Sequence, residues 1–296
     1  MTTVLFLGLA FCWGSAFLAT KNIVDAIDPF YGALARTFFG FIFLAALYAA
    51  RRKSVKVPVK ELWKTWVMSL LLITLPFIFM FWGQQYVPSG MGGVFNSTVP
   101  LWVFIIGAMT LKGEDAFSWR RMSGVLIGFC GLVWIMWPKL NFSAAGGMTE
   151  FYGAIALVLM AVCYALGQIG TKYLFVDKAT MSHEGNVFNQ YLFAVVLLGA
   201  ISLAFGKMPS ANVFTAKVWI SMIFVGVFSS AVAYLILIEL IKRLGAMRAS
   251  AVTYLVPLVS LSLDFASTGR IPLLNEVGGI LLIFASLYLI QKPLKT

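Results

Sequence analysis

GLAFCWGSAFLATK (Gly8–Lys21) and LMAVCYALGQIGTK (Leu159–Lys172) are the stretches that decide the fold, because each reads as a version of the other. Cys12 answers Cys163, Trp13 answers Tyr164, Thr20 answers Thr171 and Lys21 answers Lys172, all at an offset of 151. The likeness extends outward. GVLIGFCGLVWIMWP from Gly124 matches GILLIFASLYLIQKP from Gly279 at an offset of 155, and Pro100 aligns with Pro257. The chain thus reads as a repeat: 1–140 as the first unit, 141–149 as the connecting loop and 150–296 as the second unit.

What the units are made of follows from composition. Of 296 residues, 61% are apolar or aromatic and 11% are charged, with a mean hydropathy of +0.92. A soluble domain carries about 25% charged residues, so a soluble enzyme is excluded and the bilayer is the solvent. A spanning helix needs about 20 apolar residues. The apolar runs fall at 3–21, 30–50, 65–86, 89–110, 118–137, 150–174, 184–206, 214–241, 245–267 and 273–291. The expected fold is all-α and integral to the membrane, with ten transmembrane helices. Tight links at Pro88-Ser89-Gly90 and Leu244-Gly245 leave nine helices as the competing count. MTTVLFLGLAF lacks a basic leader and reads as the first helix, not as a cleaved signal. Cys12, Cys130 and Cys163 lie inside apolar runs and read as packing residues rather than disulfide partners.

Loop charges favour ten. The formal charge is +11, yet the basic residues sit in short loops without interleaved aromatics, which argues against nucleic acid. With ten spans and the N-terminus inside, 16 Lys and Arg fall on the inner side and 5 on the outer: Lys21, Lys139, Lys207, Lys217 and Arg270. This is the positive-inside bias. Removing one span scrambles it. Five helices per unit is an odd number, so the second unit enters from the opposite face and the repeats are inverted. Inverted repeats enclosing a midplane site recur in secondary transporters, where related halves open in turn to either side.

WGSAFLATK followed by Pro29-Phe30 and Ala35-Arg36 resembles the opening of EamA-type members of the drug/metabolite transporter superfamily. Asn96-Ser97-Thr98-Val99-Pro100 and LKGEDAFSWRRMSGVLIGFCGLVW resemble the close of that family's first repeat. The resemblance covers nearly the whole chain. It implies a ten-helix carrier of small metabolites, often an exporter, in a bacterial-type inner membrane with both termini cytoplasmic. The second unit departs from the pattern, since Gly113-Glu114 is answered by Gly269-Arg270 and Arg36 by about Gln190.

Candidate site residues follow from the cost of polar groups in hydrocarbon. Proline has no N–H, so Pro100 frees the carbonyl of Asn96 and Pro257 that of Thr253. Such carbonyls must be covered by protein, water or ligand. Two kinked helices facing a central cavity are therefore expected. Pro76 frees Leu72, which has no polar side chain. The expected cavity lining is Trp13 and Phe17 with their partners Tyr164 and Gln168. To these are added Trp82, Gln85 and Tyr86 on one face of the third helix, Asn96 and Trp102, Tyr234, and Thr253 and Tyr254. Rings suit the apolar part of a solute and polar groups fix its orientation, although Trp and Tyr also form interfacial belts.

Charges near spans are few. Arg36, Lys21 and Asp264 fall toward the outside, and Arg36 or Lys21 is expected either to pair with Asp264 as an outer gate or to bind a substrate carboxylate. The plainer readings are snorkelling for Lys21 and a clamp on helix carbonyls for Arg36. Glu239 precedes Lys242 and Arg243 by three and four residues, the spacing of local ion pairs. An inner gate with Lys172 is the sharper alternative. Gly124 and Gly128 form a GxxxG surface suited to close helix approach.

No Asp or Glu lies near the middle of an expected span, and His183 falls in a loop. A proton-driven antiporter of lipophilic cations usually needs a membrane carboxylate. The absence favours a neutral, zwitterionic or anionic solute. No paired carboxylates, metal-spaced His/Cys cluster or Ser/His/Asp set points to an enzyme, and no charged ring points to a channel. The expectation is a secondary transporter, an exporter or exchanger of small metabolites such as amino acids, working by alternating access around a central cavity. Export of lipophilic or cationic drug-like compounds is the alternative. No cofactor or metal is expected, and the expected partners are a small-molecule substrate and membrane lipid, with the protein a monomer.

Overall fold

Apolar helices follow one another along the chain, joined by short links. The computed structural model describes residues 2–87, 89–110, 118–136, 147–176, 181–259, 262 and 273–292, the side chains of 89–91, 136 and 147 excepted. We label the helices α1 (Thr2–Val24), α2 (Pro29–Ala50), α3 (Val59–Tyr86), α4 (Gly92–Thr110), α5 (Trp119–Met136), α6 (Met148–Val176), α7 (His183–Phe205), α8 (Ala216–Leu244), α9 (Ala246–Val259) and α10 (Leu274–Gln291). Eight are long and apolar enough to cross a membrane; the others are α9, which is shorter, and α5, which carries Arg120 and Arg121 in its first turn. No strand occurs among the described residues. Asp264 and the loop charges Lys112, Lys139, Lys178, Arg270 and Lys295 lie outside them.

Helix boundaries differ from the apolar runs where polar residues join a first turn. The third helix begins at Val59, not 65, because Glu61 and Lys64 pair at 2.6 Å within its first turns. Asp28 caps α2 by accepting from Phe30 N–H at 2.9 Å, with Pro29 at the first helical position. Ser182 and Thr215 cap α7 and α8 in the same manner. Gly245, at φ 84, ends α8 and admits α9 directly, a backbone conformation that glycine adopts without penalty.

The exposed faces are apolar. Leu274, Val277, Leu281, Phe284 and Tyr288 form an outward stripe on α10, and Val4, Leu7, Phe11 and Leu18 form one on α1. Such stripes are costly in water and are satisfied by acyl chains. Inside, buried residues from every helix join one core.

Close approaches fix the arrangement. α5 and α10 pack along each other, where a Cβ on Gly128 would stand 2.4 Å from Ser286 Oγ. The small-residue surface of α5 is therefore used within the chain. α2 crosses α8 at Gly226, where a Cβ would meet the Arg36 carbonyl at 2.8 Å. That crossing brings Arg36 against the middle of α8.

Candidate functional site

Broken helices build the centre. α1 turns at Ser15, whose Oγ donates to Phe11 O at 2.7 Å, between helical pieces Thr2–Gly14 and Ala16–Val24. α4 breaks at Ser97-Thr98, just ahead of Pro100. α9 tightens to a 3₁₀ helix over Ala251–Leu255, just ahead of Pro257. Both breaks sit where a proline withholds its N–H. The carbonyl that Pro257 frees, Thr253 O, accepts from Ser97 Oγ at 2.8 Å. The break in α4 thus supplies the hydroxyl that covers the break in α9.

Three helices carry widened π turns: Leu70–Thr74 in α3, Lys172–Val176 in α6 and Val227–Val232 in α8. A π turn disturbs the regular carbonyl pairing and is frequent at functional sites. In α8 its groups are taken up both within the helix and by α1 and α2. Ser229 Oγ donates to Cys12 O at 2.6 Å, and Ser230 Oγ donates to Val225 O at 2.8 Å. Arg36 Nε donates to Ser230 Oγ at 2.6 Å and Nη2 to Ser229 O at 3.2 Å. Arg36 is 3% exposed, and its guanidinium carbon lies 4.2 Å from the centre of the Phe77 ring.

These elements enclose two adjoining chambers that share Trp13, Arg36 and Tyr164. One is completed by Ala16, Phe17, Met80, Asn96, Val99, Gln168 and Thr253. The other is walled by Leu72, Phe77, Tyr191, Ser229, Ser230, Tyr234 and their neighbours. Each holds a cavity of about 20 Å³, close to the room one water molecule needs. Neither wall includes an Asp or Glu among the described residues. Tyr234 Oη donates to Gln190 Oε1, Gln190 Nε2 donates to Asn186 Oδ1 at 2.8 Å, and Ser69 Oγ donates to Gln190 O at 2.6 Å. A neutral amide network therefore backs the second chamber.

The structure brings Trp13, Phe17, Arg36, Asn96, Tyr164, Gln168, Tyr234 and Thr253 to these walls. It puts others elsewhere. Trp82 packs edge-on against Tyr86 at 5.0 Å, Gln85 Nε2 donates to Trp82 O, and Tyr86 is 40% exposed. Those three share a face of α3, as expected, but the inward face is Phe77, Met80, Phe81 and Gln84. Trp102 Nε1 donates to Thr98 Oγ1 on its own helix. Tyr254 points away to α5, donating to Val125 O at 2.9 Å. Pro100 and Pro257 are buried beside the breaks.

Among the charges, Lys21 pairs with Asp25 at 2.9 Å and donates to Gln84 O at 3.2 Å. Glu239 pairs with Arg243 at 2.6 Å, the local pairing. Lys172 is half-buried where the π turn of α6 begins. Asp264 lies outside the described residues. Sequence reasoning missed Tyr191, the Ser229-Ser230 pair and Gln84, which is fully buried with neither amide atom hydrogen-bonded. Two adjacent serines inside an apolar run were the available signal for the second of these.

Helices with apolar outer faces around a narrow polar-lined centre define a multi-pass membrane protein. The EamA-like transporter family matches residues 1–137 and 151–291, and the chain belongs to that family, within the drug/metabolite transporter superfamily. It is similar to protein PagO of Salmonella typhimurium strain LT2, 24% identical over 88% of this chain and 83% of that one. It is also similar to two uncharacterized transporters of Bacillus subtilis strain 168. YoaV is 25% identical over 94% of this chain and 92% of its own, and YvbV 26% over 99% and 92%. A crystal structure shares the fold with a TM-score of 0.76 at 18% identity, over 98% of this chain and 96% of that chain. Family and relatives make the protein a membrane transporter of the drug/metabolite type rather than an enzyme.

Proposed function

We propose that the protein is a secondary transporter of small metabolites, amino acids among them, working by alternating access around the two chambers. It is built as ten spans in two inverted five-helix units, 1–140 and 150–296, joined by 141–149. The observation that carries this reading is the pairing of the walls. Trp13 and Tyr164 stand 151 residues apart, and Asn96 and Thr253 stand 157 apart, yet all four line one chamber. Paired walls from related halves suit a site that each half opens in turn. The widened turns in α3 and α8 offer places where each half bends without breaking a full ladder of hydrogen bonds.

Orientation follows the basic residues. Arg51, Arg52, Lys53, Lys56, Lys60 and Lys64 cluster between α2 and the start of α3, which favours a cytoplasmic position for that link and for both termini in a bacterial-type inner membrane. Close packing of α5 on α10 within one chain supports a monomer. Net movement follows the solute gradient, so the carrier exports or exchanges whichever solute the cell accumulates.

Counterflow in liposomes tests the reading. Vesicles holding purified protein are loaded with one unlabelled solute and exposed to trace label, with and without a pH gradient, across amino acids, organic cations and nucleotide sugars. Labelled amino acids accumulate transiently without a pH gradient. Uptake confined to cations and dependent on a proton gradient replaces this reading with export of cationic compounds.

A further inference from the structure

We propose that Arg36 and Gln168 form a two-point subsite that selects solutes carrying one carboxylate and one N–H donor. The inference rests on the chambers being the solute route and adds the substrate's charge pattern.

The first point is an uncompensated cation. Arginine stays protonated and offers five N–H donors. Arg36 spends one on Ser230 Oγ, one on Ser229 O and one on Met80 Sδ at 3.6 Å, a weak acceptor. Two donors remain. Every one of these partners is neutral, and so is the Phe77 ring. Arg36 takes no part in the ion pairs Lys21–Asp25, Lys53–Glu184, Lys64–Glu61 and Arg243–Glu239. A buried charge without a counter-charge is expensive. Both chambers are open to it, since Arg36 is part of each wall. A carboxylate placed there completes the fork with charge-assisted bonds.

The second point is an orphaned acceptor. Gln168 is 1% exposed, lines the same chamber as Arg36, and its Oε1 has no hydrogen-bond partner. A buried acceptor left unmade is costly, and an N–H on the solute satisfies it. Trp13, Phe17 and Tyr164 lie on the same wall; the chamber as it stands has room for one water, so it widens on binding to let them flank the solute's apolar body. A cation and an acceptor flanked by rings describe a neutral amino acid. A lipophilic monocation fits badly, because it would be repelled by Arg36.

The probes are leucine, 4-methylpentanoate, 3-methylbutylamine and leucinamide, with the matching phenylalanine series beside them. Ligand-induced shifts in the melting temperature of purified protein report binding by mass action, independently of transport. Leucine stabilises most, the acid less, and the amine and amide not at all. Arg36→Gln weakens the carboxylate-bearing members by roughly thirtyfold or more, while Arg36→Lys keeps the preference for them in weaker form. Gln168→Leu removes the advantage of leucine over 4-methylpentanoate. The proposal is overturned if no member of either series binds, if amine or amide stabilises as well as the acid, or if Arg36→Gln keeps the carboxylate preference. Should Arg36→Gln fail to fold, Arg36→Lys and Gln168→Leu decide alone. Binding in the stated order without counterflow leaves the subsite standing and removes the transport reading instead.

Discussion

α3 and α8 each contain one widened turn, starting at Leu70 and Val227, 157 residues apart as Pro100 and Pro257 are. The backbones agree and the chemistry does not. In α3, Pro76 follows the turn and withholds an N–H from Leu72, and the neighbouring Ser69 hydroxyl goes to Gln190 O. In α8 no proline follows; Ala233 and Tyr234 come next, and serines with an incoming guanidinium take up the turn's groups. One deformation is thus maintained by removing a donor, the other by adding donors. The consequence is electrical. Arg36, from α2, sets a cation against the turn in α8, whereas Gln190, its repeat partner on α7, sets a neutral residue against the start of the turn in α3. Under the mechanism proposed above, equivalent shapes with unequal charge let two halves move alike while one of them orients the solute.

The largest effect expected from this contrast belongs to Arg36→Gln. Counterflow of a carboxylate-bearing solute falls about thirtyfold or more in properly inserted protein; transport at the wild-type rate would reduce Arg36 to a clamp on α8. Ser230→Ala comes next. It removes the acceptor of Arg36 Nε and the donor to Val225 O, and costs about 1–3 kcal/mol of stability by thermal or denaturant unfolding. Tyr234→Phe leaves Gln190 Oε1 without its donor. It costs about 0.5–1.5 kcal/mol by the same measurement and leaves the carboxylate preference intact, since no charge changes. A shift in preference would show that the neutral network also reads solute charge. Pro76→Ala has the smallest effect on stability, within about 1 kcal/mol, because the hydrogen bond regained by Leu72 O offsets the packing lost with the ring. Its readout is rate: α3 stiffens if the helix regains its regular hydrogen bond, and counterflow slows several-fold.

The order and approximate position of the helices were legible because a bilayer demands long apolar runs, and the breaks in α4 and α9 because proline announces them. Which face of a helix points inward was harder. Trp82, Gln85 and Tyr86 made a polar-aromatic face, but Phe77, Met80, Phe81 and Gln84 turn to the centre. In an apolar run with lipid on one side and protein on the other, both faces are hydrophobic and periodicity does not separate them. Tyr254 follows Thr253 directly, yet successive side chains on any helix point in different directions, and its hydroxyl goes to α5. The turn in α8 had no proline to betray it. Arg36 was visible as a charge, but the serines that receive it come from 193 and 194 residues further along the chain, which sequence distance conceals.

Paired labelling decides whether the two halves are oppositely oriented around the chambers, as proposed. Lys21→Cys and Lys172→Cys are made separately in protein whose native Cys12, Cys130 and Cys163 are replaced by alanine or serine, and intact cells are treated with a membrane-impermeant maleimide. The cysteine at position 21 is expected to react from outside, whereas the one at 172 reacts only after the cells are opened. Reaction of both from the same side would contradict it.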